Sequence, residues 1–196
     1  SQAQHQVLSE REPAWRPAPD AFDAALLHGM PPLGHRALRR DMDWQADLLA
    51  ILDALELHVG ERQRPLLKAL REMPADERDA LAEDVLEARP GSETTRGLMP
   101  LAAAALQVSW LRLVLALPKP PAKPGEEARA LCPCCGSLPV ASVIHNDRQR
   151  SGVRYLHCSL CATEWHLERV KCSGCNSGKL AYLTLDDEKG KPFLPV

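Results

Sequence analysis

The sequence is poor in aromatic residues: phenylalanine, tryptophan and tyrosine together make up 4% of its 196 residues. Because β-sandwiches depend on aromatic and β-branched side chains for their cores, this scarcity favours a mainly helical chain. The apolar fraction of 45% is nonetheless sufficient for a buried core. The composition therefore argues against an intrinsically disordered protein.

The sequence also lacks a strong excess of either charge, since 24 Lys and Arg residues stand against 26 Asp and Glu residues. This near balance argues against a chain that binds nucleic acid or a membrane surface along its whole length. The net charge nevertheless differs along the chain, because residues 1–128 are acidic overall and residues 129–196 are basic overall. The asymmetry indicates two domains.

No basic segment followed by an apolar stretch opens the sequence, and its first residue is Ser1. We therefore expect either that a leader was removed or that the chain is an internal fragment of a longer protein. The longest apolar run, Leu101–Leu117, contains Gln107, Ser109 and Arg112 and is at the short limit for a membrane span. We expect it to form a buried core helix, without membrane insertion.

Before Pro118 the sequence has no Gly-rich phosphate-binding loop and no cluster of acid, base and nucleophile. Its carboxylates, including Asp43, Asp47 and Glu83, are expected on solvated helix faces. We therefore predict that this part of the chain contributes no catalytic group.

The same part has the apolar spacing of helices. Residues 1–32 are rich in proline and predict loop, apart from one short helix at Asp20–His28. Apolar residues then recur at three- and four-residue steps in residues 42–59, 65–70 and 74–86. The run Leu101–Leu117 is apolar on nearly all sides, so we predict that it lies at the centre of these helices.

Residues 118–125 read Pro-Lys-Pro-Pro-Ala-Lys-Pro-Gly, which can join neither a helix nor a central strand and indicates a domain boundary. Short alternating runs follow, bounded by Gly, Asn, Asp or Cys, and they predict strands in hairpins. These runs lie at residues 140–144, 153–155, 163–167 and 180–184.

All seven cysteines lie beyond this boundary, and six of them form three C-x-x-C pairs: Cys132 and Cys135, Cys158 and Cys161, and Cys172 and Cys175. Two thiolates at this spacing in a tight turn can bind one metal ion. The residues between the first two pairs suffice for one β-hairpin, Val140–His145 with Val153–His157. That is the spacing of a zinc ribbon or a rubredoxin site, so we predict one ion bound by the first four paired cysteines.

Two alternatives to metal binding fit less well. Disulfides would not require three-residue spacings, and a thioredoxin-like redox pair would follow a strand at a helix start. Gly136 and Gly174, which adjoin paired cysteines, suit the positive φ that metal-binding turns often need. Because few apolar residues lie in this half, we expect the metal to supply much of its folding energy.

The pair Cys172 and Cys175 has no obvious partner pair. It could share an ion with Cys158 and Cys161, which would leave the first pair alone. We favour instead half of a second four-sulfur site that is completed beyond Val196. Cys134 is expected to be a free thiol in the first turn.

Other polar and aromatic residues of this half have both a structural and a functional interpretation. We expect His145, His157 and His166 to make ordinary hydrogen bonds, although any of them could be a ligand. Tyr155, Trp165 and Tyr182 are expected to form the small core of a ribbon, although beside Arg148, Arg150, Arg154, Arg169 and Lys171 they could stack on single-stranded nucleic acid.

Three segments together resemble one known family: Cys132-Pro-Cys-Cys-Gly-Ser-Leu-Pro-Val, Arg154-Tyr-Leu-His-Cys-Ser-Leu-Cys-Ala-Thr-Glu-Trp-His and Val170-Lys-Cys-Ser-Gly-Cys. The chain is similar over about residues 132–188 to the formate dehydrogenase accessory protein family, FdhE. The similarity continues through Gly178-Lys-Leu-Ala-Tyr and Leu185-Asp-Asp-Glu and is looser in the helical part.

The resemblance implies a cytoplasmic protein that acts in the maturation of respiratory formate dehydrogenases. It further implies contact with the catalytic subunit before export and iron bound in rubredoxin-like sites. Members of the family have four C-x-x-C pairs, whereas this sequence has three and begins inside the usual helical region. On that basis too, we expect an internal fragment.

The predicted fold class is α+β. It comprises an all-α domain in residues 1–117, a linker in 118–128, a first rubredoxin-like or zinc-ribbon unit in 129–170 and an incomplete second ribbon in 171–196.

We predict an accessory protein and not an enzyme, with iron or zinc as its four-thiolate metal. Its expected partner is the formate dehydrogenase catalytic subunit, with Arg148, Arg150 and Arg154 on the rim of the binding surface. The alternatives are a zinc-ribbon module that binds nucleic acid and a small redox carrier or thiol oxidoreductase.

Overall fold

The computed structural model describes residues 2–12, 18, 20–34, 43–122, 130–145, 151–175 and 177–179. The helices in these ranges are α1 (Gln2–Glu10), α2 (Asp23–Leu27), α3 (Trp44–Glu56), α4 (Arg64–Glu72), α5 (Ala75–Leu86), α6 (Glu93–Arg96) and α7 (Met99–Ala116). The strands are β1 (Pro139–Ile144), β2 (Arg154–Cys158) and β3 (Glu164–His166).

Helix α7 is the centre of the helical layer, as its apolar sequence predicts. Helices α1, α3, α5 and α6 contact it, and Ala102, Ala105, Leu106 and Trp110 have no exposed surface. By length and composition alone α7 could also cross a membrane, with 39% of its residues buried inside the fold. A core helix meets the same criterion, and the packing of α7 on four other helices is that of a core helix.

The prediction of loop at the start of the chain is wrong for residues 2–10, which form α1. Only Ala3 and Val7 of this helix are buried, so its apolar stripe is too narrow to stand out in the sequence. Contacts with α7 hold it in place: Gln4 Nε2 donates to the carbonyl oxygen of Ala104 at 3.1 Å and to Gln107 Oε1 at 2.7 Å. Tertiary hydrogen bonds thus compensate for a weak local signal.

Helices α2, α3 and α5 lie within the predicted helical segments, and α4 covers the predicted segment 65–70 and extends beyond both of its ends. The single turn α6 is not predicted by the apolar spacing. The Ser92 side chain caps it by accepting a hydrogen bond from the backbone N–H of Thr95 at 3.1 Å.

The three strands form an antiparallel sheet in the order β1-β2-β3. The register of the first hairpin runs from Ile144 opposite Arg154 to Pro139 opposite Cys158, with an irregularity between Pro139 and Ala141. This is the hairpin that the cysteine spacing predicts. The predicted strand at residues 180–184 lies outside the described residues.

Burial in the sheet is confined to one face of β2 and β3, and β1 has no buried residue. Leu156 and Trp165 are paired across β2 and β3 and are buried, in agreement with a small ribbon core. The prediction that Tyr155 belongs to this core is wrong: it lies on the opposite face, where its ring makes edge contacts with the rings of His145 and His166. Tyr182 lies outside the described residues. The buried residues of the ribbon and of the helical layer belong to one contiguous hydrophobic cluster.

Asp47 contradicts the expectation of a solvated face, because only 1% of this residue is exposed. Its carboxylate accepts hydrogen bonds from Arg11 at 2.6 Å and from Arg112 at 2.5 Å. The Ser109 hydroxyl donates to it at 2.8 Å. Asp47 on α3 therefore ties α1 and α7 together through a buried ionic network, with Asp43 as a second partner of Arg11.

Replacing Asp47 with Asn should lower the free energy of unfolding by roughly 2–4 kcal/mol, because it leaves two partly buried guanidinium groups without their shared anion. Asp53→Asn is the matched control, since Asp53 pairs with Arg71 while its own side chain is 68% exposed. The control should cost at most about 1 kcal/mol. Urea denaturation measures both, and equal effects of the two substitutions would contradict the assignment of Asp47 as the core anion.

Candidate metal centre

The first two C-x-x-C pairs form turns of the same geometry. The backbone N–H of the first cysteine donates to the carbonyl oxygen five residues later, from Cys132 to Ser137 at 2.9 Å and from Cys158 to Thr163 at 3.0 Å. The residue after the second cysteine has a positive φ, 76° at Gly136 and 56° at Ala162. The prediction of a positive φ is therefore confirmed at Gly136, where glycine adopts it without strain.

The hairpin brings these two turns to the same end of the sheet. The first turn directly precedes β1 and the second directly follows β2, and the antiparallel register places Pro139 opposite Cys158. In an antiparallel hairpin, the residues before the first strand lie beside the residues after the second strand, so the two turns meet. The separation of the pairs along the sequence is thus the length of one hairpin.

Four sulfur atoms meet there, all buried and all free of disulfide bonds: those of Cys132, Cys135, Cys158 and Cys161. They lie within 4.8 Å of one another. The shortest contacts cross between the turns, from Cys132 to Cys161 and from Cys135 to Cys158, each at 3.4 Å. A disulfide would need about 2.05 Å, whereas four thiolates about 2.3 Å from one ion lie roughly 3.8 Å apart. The cluster therefore fits a single tetrahedral ion.

The sulfur contacts divide the four thiols into two kinds. Hydrogen bonding from Cys132 is the main cause that lowers the pKa of Cys158 and of Cys161. The pKa of Cys132 is raised, first through its contact with Cys134 and then through its contacts with the other three sulfurs. The four thiols are thus strongly coupled through their contacts. Four thiolates at this separation repel one another, and a shared cation offsets that repulsion.

Polar groups around the cluster are arranged to support thiolates. The backbone N–H groups of Leu160 and Cys161 donate to Cys158 Sγ at 3.3 Å and 3.4 Å. The Thr163 hydroxyl oxygen lies 3.1 Å from Cys161 Sγ, and the Ser137 hydroxyl oxygen lies 3.4 Å from Cys135 Sγ. Such contacts orient the ligands and tune the ion that they hold.

These hydroxyl groups were not predicted, although the sequence contains a signal for them. Each of the three pairs is followed, two residues after its second cysteine, by a serine or threonine: Ser137, Thr163 and Ser177. The repeat is therefore longer than C-x-x-C.

Helix α7 anchors both turns. The Trp110 indole N–H donates to the Leu33 carbonyl oxygen at 2.9 Å, and the Leu33 N–H donates to the Cys134 carbonyl oxygen at 2.7 Å. Gln107 Nε2 donates to the carbonyl oxygen of Ser159 in the second turn at 2.6 Å. The relative position of the turns is therefore set by the helical layer as well as by the hairpin. Cys134 itself is a buried free thiol outside the group of four.

The third pair has a similar turn but stands apart. The Cys172 N–H donates to the Ser177 carbonyl oxygen at 2.9 Å, and the Gly174 N–H lies 3.4 Å from Cys172 Sγ. Backbone N–H groups of Cys175 and Gly174 lower the pKa of Cys172. Within the described part of the chain no further ligand joins Cys172 and Cys175. The expected positive φ at Gly174 is wrong, since the described residues with positive φ do not include it.

The histidines and arginines lie outside the cluster. His145 Nε2 is 2.9 Å from Glu164 Oε2, and His157 Nδ1 is 3.7 Å from Glu164 Oε1. Arg154, which the sequence places on the rim of the binding surface, bonds through its guanidinium to the Ser142 hydroxyl and to two backbone carbonyl oxygens, and its role on that rim stays a prediction. Arg148 and Arg150 lie outside the described residues.

Comparisons with known proteins cover nearly the whole chain. Residues 1–127 match the family model described as "FdhE, N-terminal", and residues 131–169 match "FdhE, central domain". A protein FdhE homolog of Edwardsiella ictaluri is 40% identical over 192 residues, which are 95% of this chain and 60% of that protein. Protein FdhE of Escherichia coli is 39% identical over 167 residues, which are 84% of this chain and 53% of that protein.

A solved structure is similar as well. The crystal structure of the FdhE protein from Pseudomonas aeruginosa superposes with a TM-score of 0.78 and 35% identity, over 98% of this chain and 65% of that one. The chain thus spans 53% to 60% of the length of the curated relatives named above.

Replacing Cys158 with Ser should remove one bound metal ion per chain, because a tetrahedral thiolate site with three sulfurs holds its ion far more weakly. Cys134→Ser is the matched control, since this buried thiol lies between two ligands in sequence but outside the group of four. The control should keep the ion. Elemental analysis of the purified variants measures the outcome, and loss of the ion in Cys134→Ser alone would show that the ligand set is wrong.

Proposed function

The chain belongs to the FdhE family, and on that premise we propose that it is part of an accessory protein for the maturation of respiratory formate dehydrogenases. The observation that carries the proposal is the four-sulfur cluster inside a chain that matches this family over most of its length. In this proposal the protein binds the catalytic subunit in the cytoplasm, before that subunit is exported.

We propose iron as the ion held by Cys132, Cys135, Cys158 and Cys161. The buried sulfurs, the N–H groups that point at Cys158 Sγ and the absence of a disulfide among these four residues fit a tetrathiolate ion of either iron or zinc. Iron would add one-electron redox chemistry to the structural role. The four cysteines hold the ion, and α7 and β2 fix where they lie.

The protein is proposed to act by binding and not as an enzyme. In the helical layer the most deeply buried carboxylate, Asp47, is bound by Arg11, Arg112 and Ser109 and so serves the fold. A group held by three hydrogen-bonding partners in the core is poorly placed to exchange protons with a substrate.

Cys172 and Cys175 are proposed as half of a second four-sulfur site. Their turn is closed by the same N–H to carbonyl bond as the first two turns, from Cys172 to Ser177. The chain spans 53% to 60% of the length of the curated relatives named above, so their remaining length can supply the other pair. The two ribbons would then form one unit that presents the surface for the catalytic subunit.

Two other functions remain to be tested. Nucleic acid binding would require a free basic and aromatic surface, but Trp165 is buried and Arg154 is bonded within the fold. A redox carrier would need iron in the first site. Binding to DNA that weakens with salt would identify the former. A change in visible absorbance on reduction would show iron in the first site, which the redox carrier and the proposed accessory protein share, whereas its absence would refute the redox carrier.

The tagged chain should retain the catalytic subunit of a respiratory formate dehydrogenase in a pull-down. Substituting both Cys158 and Cys161 with Ser should weaken this binding by roughly tenfold or more, because loss of the ion loosens the hairpin. Cys134→Ser should bind as the unmodified chain does. Binding that is unchanged by the double substitution would contradict a role for the metal in recognition.

In the full-length protein, substituting both Cys172 and Cys175 with Ser should remove one metal equivalent and leave the ion of the first site in place. The first site has its four sulfurs without this pair, so the ion of the second site can be lost while the ion of the first site stays. Metal analysis before and after substitution measures the change. A double variant that keeps two ions per molecule would refute the second site.

A further inference from the structure

Arg154, the first residue of β2, connects three parts of the ribbon. Its Nε donates to the Ser142 hydroxyl of β1 at 2.6 Å. One Nη donates to the carbonyl oxygens of Lys171 at 2.7 Å and of Glu168 at 3.3 Å. The Lys171 carbonyl belongs to the residue that directly precedes Cys172. The guanidinium thus joins the first hairpin to the segment that carries the third cysteine pair.

Strand β2 also connects this arginine to the first metal site. Residues 154, 156 and 158 share one face of the strand, because side chains alternate along it. Cys158, at the other end of β2, is a ligand in the four-sulfur cluster. The distance along the strand between the two positions is about 13 Å, at roughly 3.3 Å per residue. One rigid strand therefore carries a ligand of the first site and the anchor of the third turn.

Among the described residues, few other contacts hold the third turn in place. Cys175 and Gly174 are exposed, Cys172 is half-buried, and Val170 is 63% exposed. With so little apolar burial, the position of the turn depends on hydrogen bonds. The bonds from Arg154 are charge-assisted, which makes them about twice as strong as bonds between neutral groups.

We infer that Arg154 is a positioning residue: it holds the turn of Cys172 and Cys175 as a ready-made half-site and couples that half-site, through β2, to the four-sulfur site. The inference rests on the proposed function only in treating Cys172 and Cys175 as metal ligands. Arginine is suited to this role because its planar guanidinium presents several donors in fixed directions, whereas lysine offers one ammonium group on a flexible stem.

The coupling between the two sites passes through β2. An ion in the first site fixes Cys158 and with it the twist and register of β2. A fixed β2 presents the guanidinium of Arg154 to the carbonyl oxygens of Glu168 and Lys171. Filling the first site should therefore order the third turn and favour binding of the second ion, and by linkage the reverse also holds.

The test is amide hydrogen exchange at Cys172, whose N–H bonds to the Ser177 carbonyl oxygen, in the chain loaded with one equivalent of Zn²⁺. Arg154→Gln should speed this exchange by roughly tenfold or more, because the turn loses charge-assisted hydrogen bonds. Arg154→Lys should resemble Arg154→Gln, because charge alone does not reproduce the contacts. Both variants should keep one Zn²⁺ per chain, and loss of that ion would overturn the inference by showing a general effect on the fold.

Lys171→Gln is the matched control. It removes one positive charge next to Cys172 but keeps the backbone carbonyl that Arg154 binds, so its exchange rate should stay within about twofold of the unmodified chain. An equal effect of Lys171→Gln and Arg154→Gln would assign the effect to charge and refute a positioning role. An unchanged rate in Arg154→Gln would refute it as well.

Removing Zn²⁺ with a chelator, in the unmodified chain and in Arg154→Gln, tests whether the two sites are coupled through Arg154. In the unmodified chain, removal should speed exchange at Cys172, whereas in Arg154→Gln it should have little further effect. Equal effects of removal in both proteins would contradict coupling through Arg154. These measurements do not involve formate dehydrogenase, so a chain that fails to bind the catalytic subunit would refute the proposed function and leave this inference standing.

Discussion

The structure of the ribbon depends on one electrostatic constraint: four buried sulfur atoms lie within 4.8 Å of one another. Four thiolates at that separation repel each other, and burial removes the water that would screen them. A shared cation resolves both problems, and structural metal ions contribute apparent binding energies of about 10–16 kcal/mol. That is as large as the whole stability of an ordinary domain, roughly 5–15 kcal/mol. The few buried apolar residues of the ribbon, such as Leu156, Trp165 and Leu167, need not hold it alone.

The helical layer extends this constraint beyond the ribbon. Trp110 reaches the first turn through Leu33, and Gln107 reaches the second turn directly through Ser159. Gln107 also accepts from Gln4 of α1, so the hydrogen bonds run from the first helix of the chain to the second cysteine turn. The ion, if bound, would therefore stabilise the junction of helices and ribbon as well as the hairpin.

The sequence predicts most of this architecture because the relevant signals are local. Helical spacing identifies α3, α4, α5 and α7, and the length between Cys135 and Cys158 identifies the hairpin. The predictions that the structure overturns have a common cause, since they concern residues whose roles depend on partners distant in the sequence. Nothing near Asp47 in the sequence indicates that Arg11 and Arg112 will bury it, and the polar helix α1 is formed by contacts with α7. Arg154 likewise differs from an ordinary surface arginine only through the carbonyl groups that the fold brings to it.

X-ray absorption spectroscopy on the metal-loaded chain tests the central claim most directly. The account predicts one ion per chain with four sulfur neighbours at about 2.3 Å and no nitrogen or oxygen in its first coordination shell. The position of the absorption edge would identify the ion as iron or zinc in the same experiment. A shell dominated by nitrogen or oxygen, or a disulfide between any two of Cys132, Cys135, Cys158 and Cys161, would contradict the account.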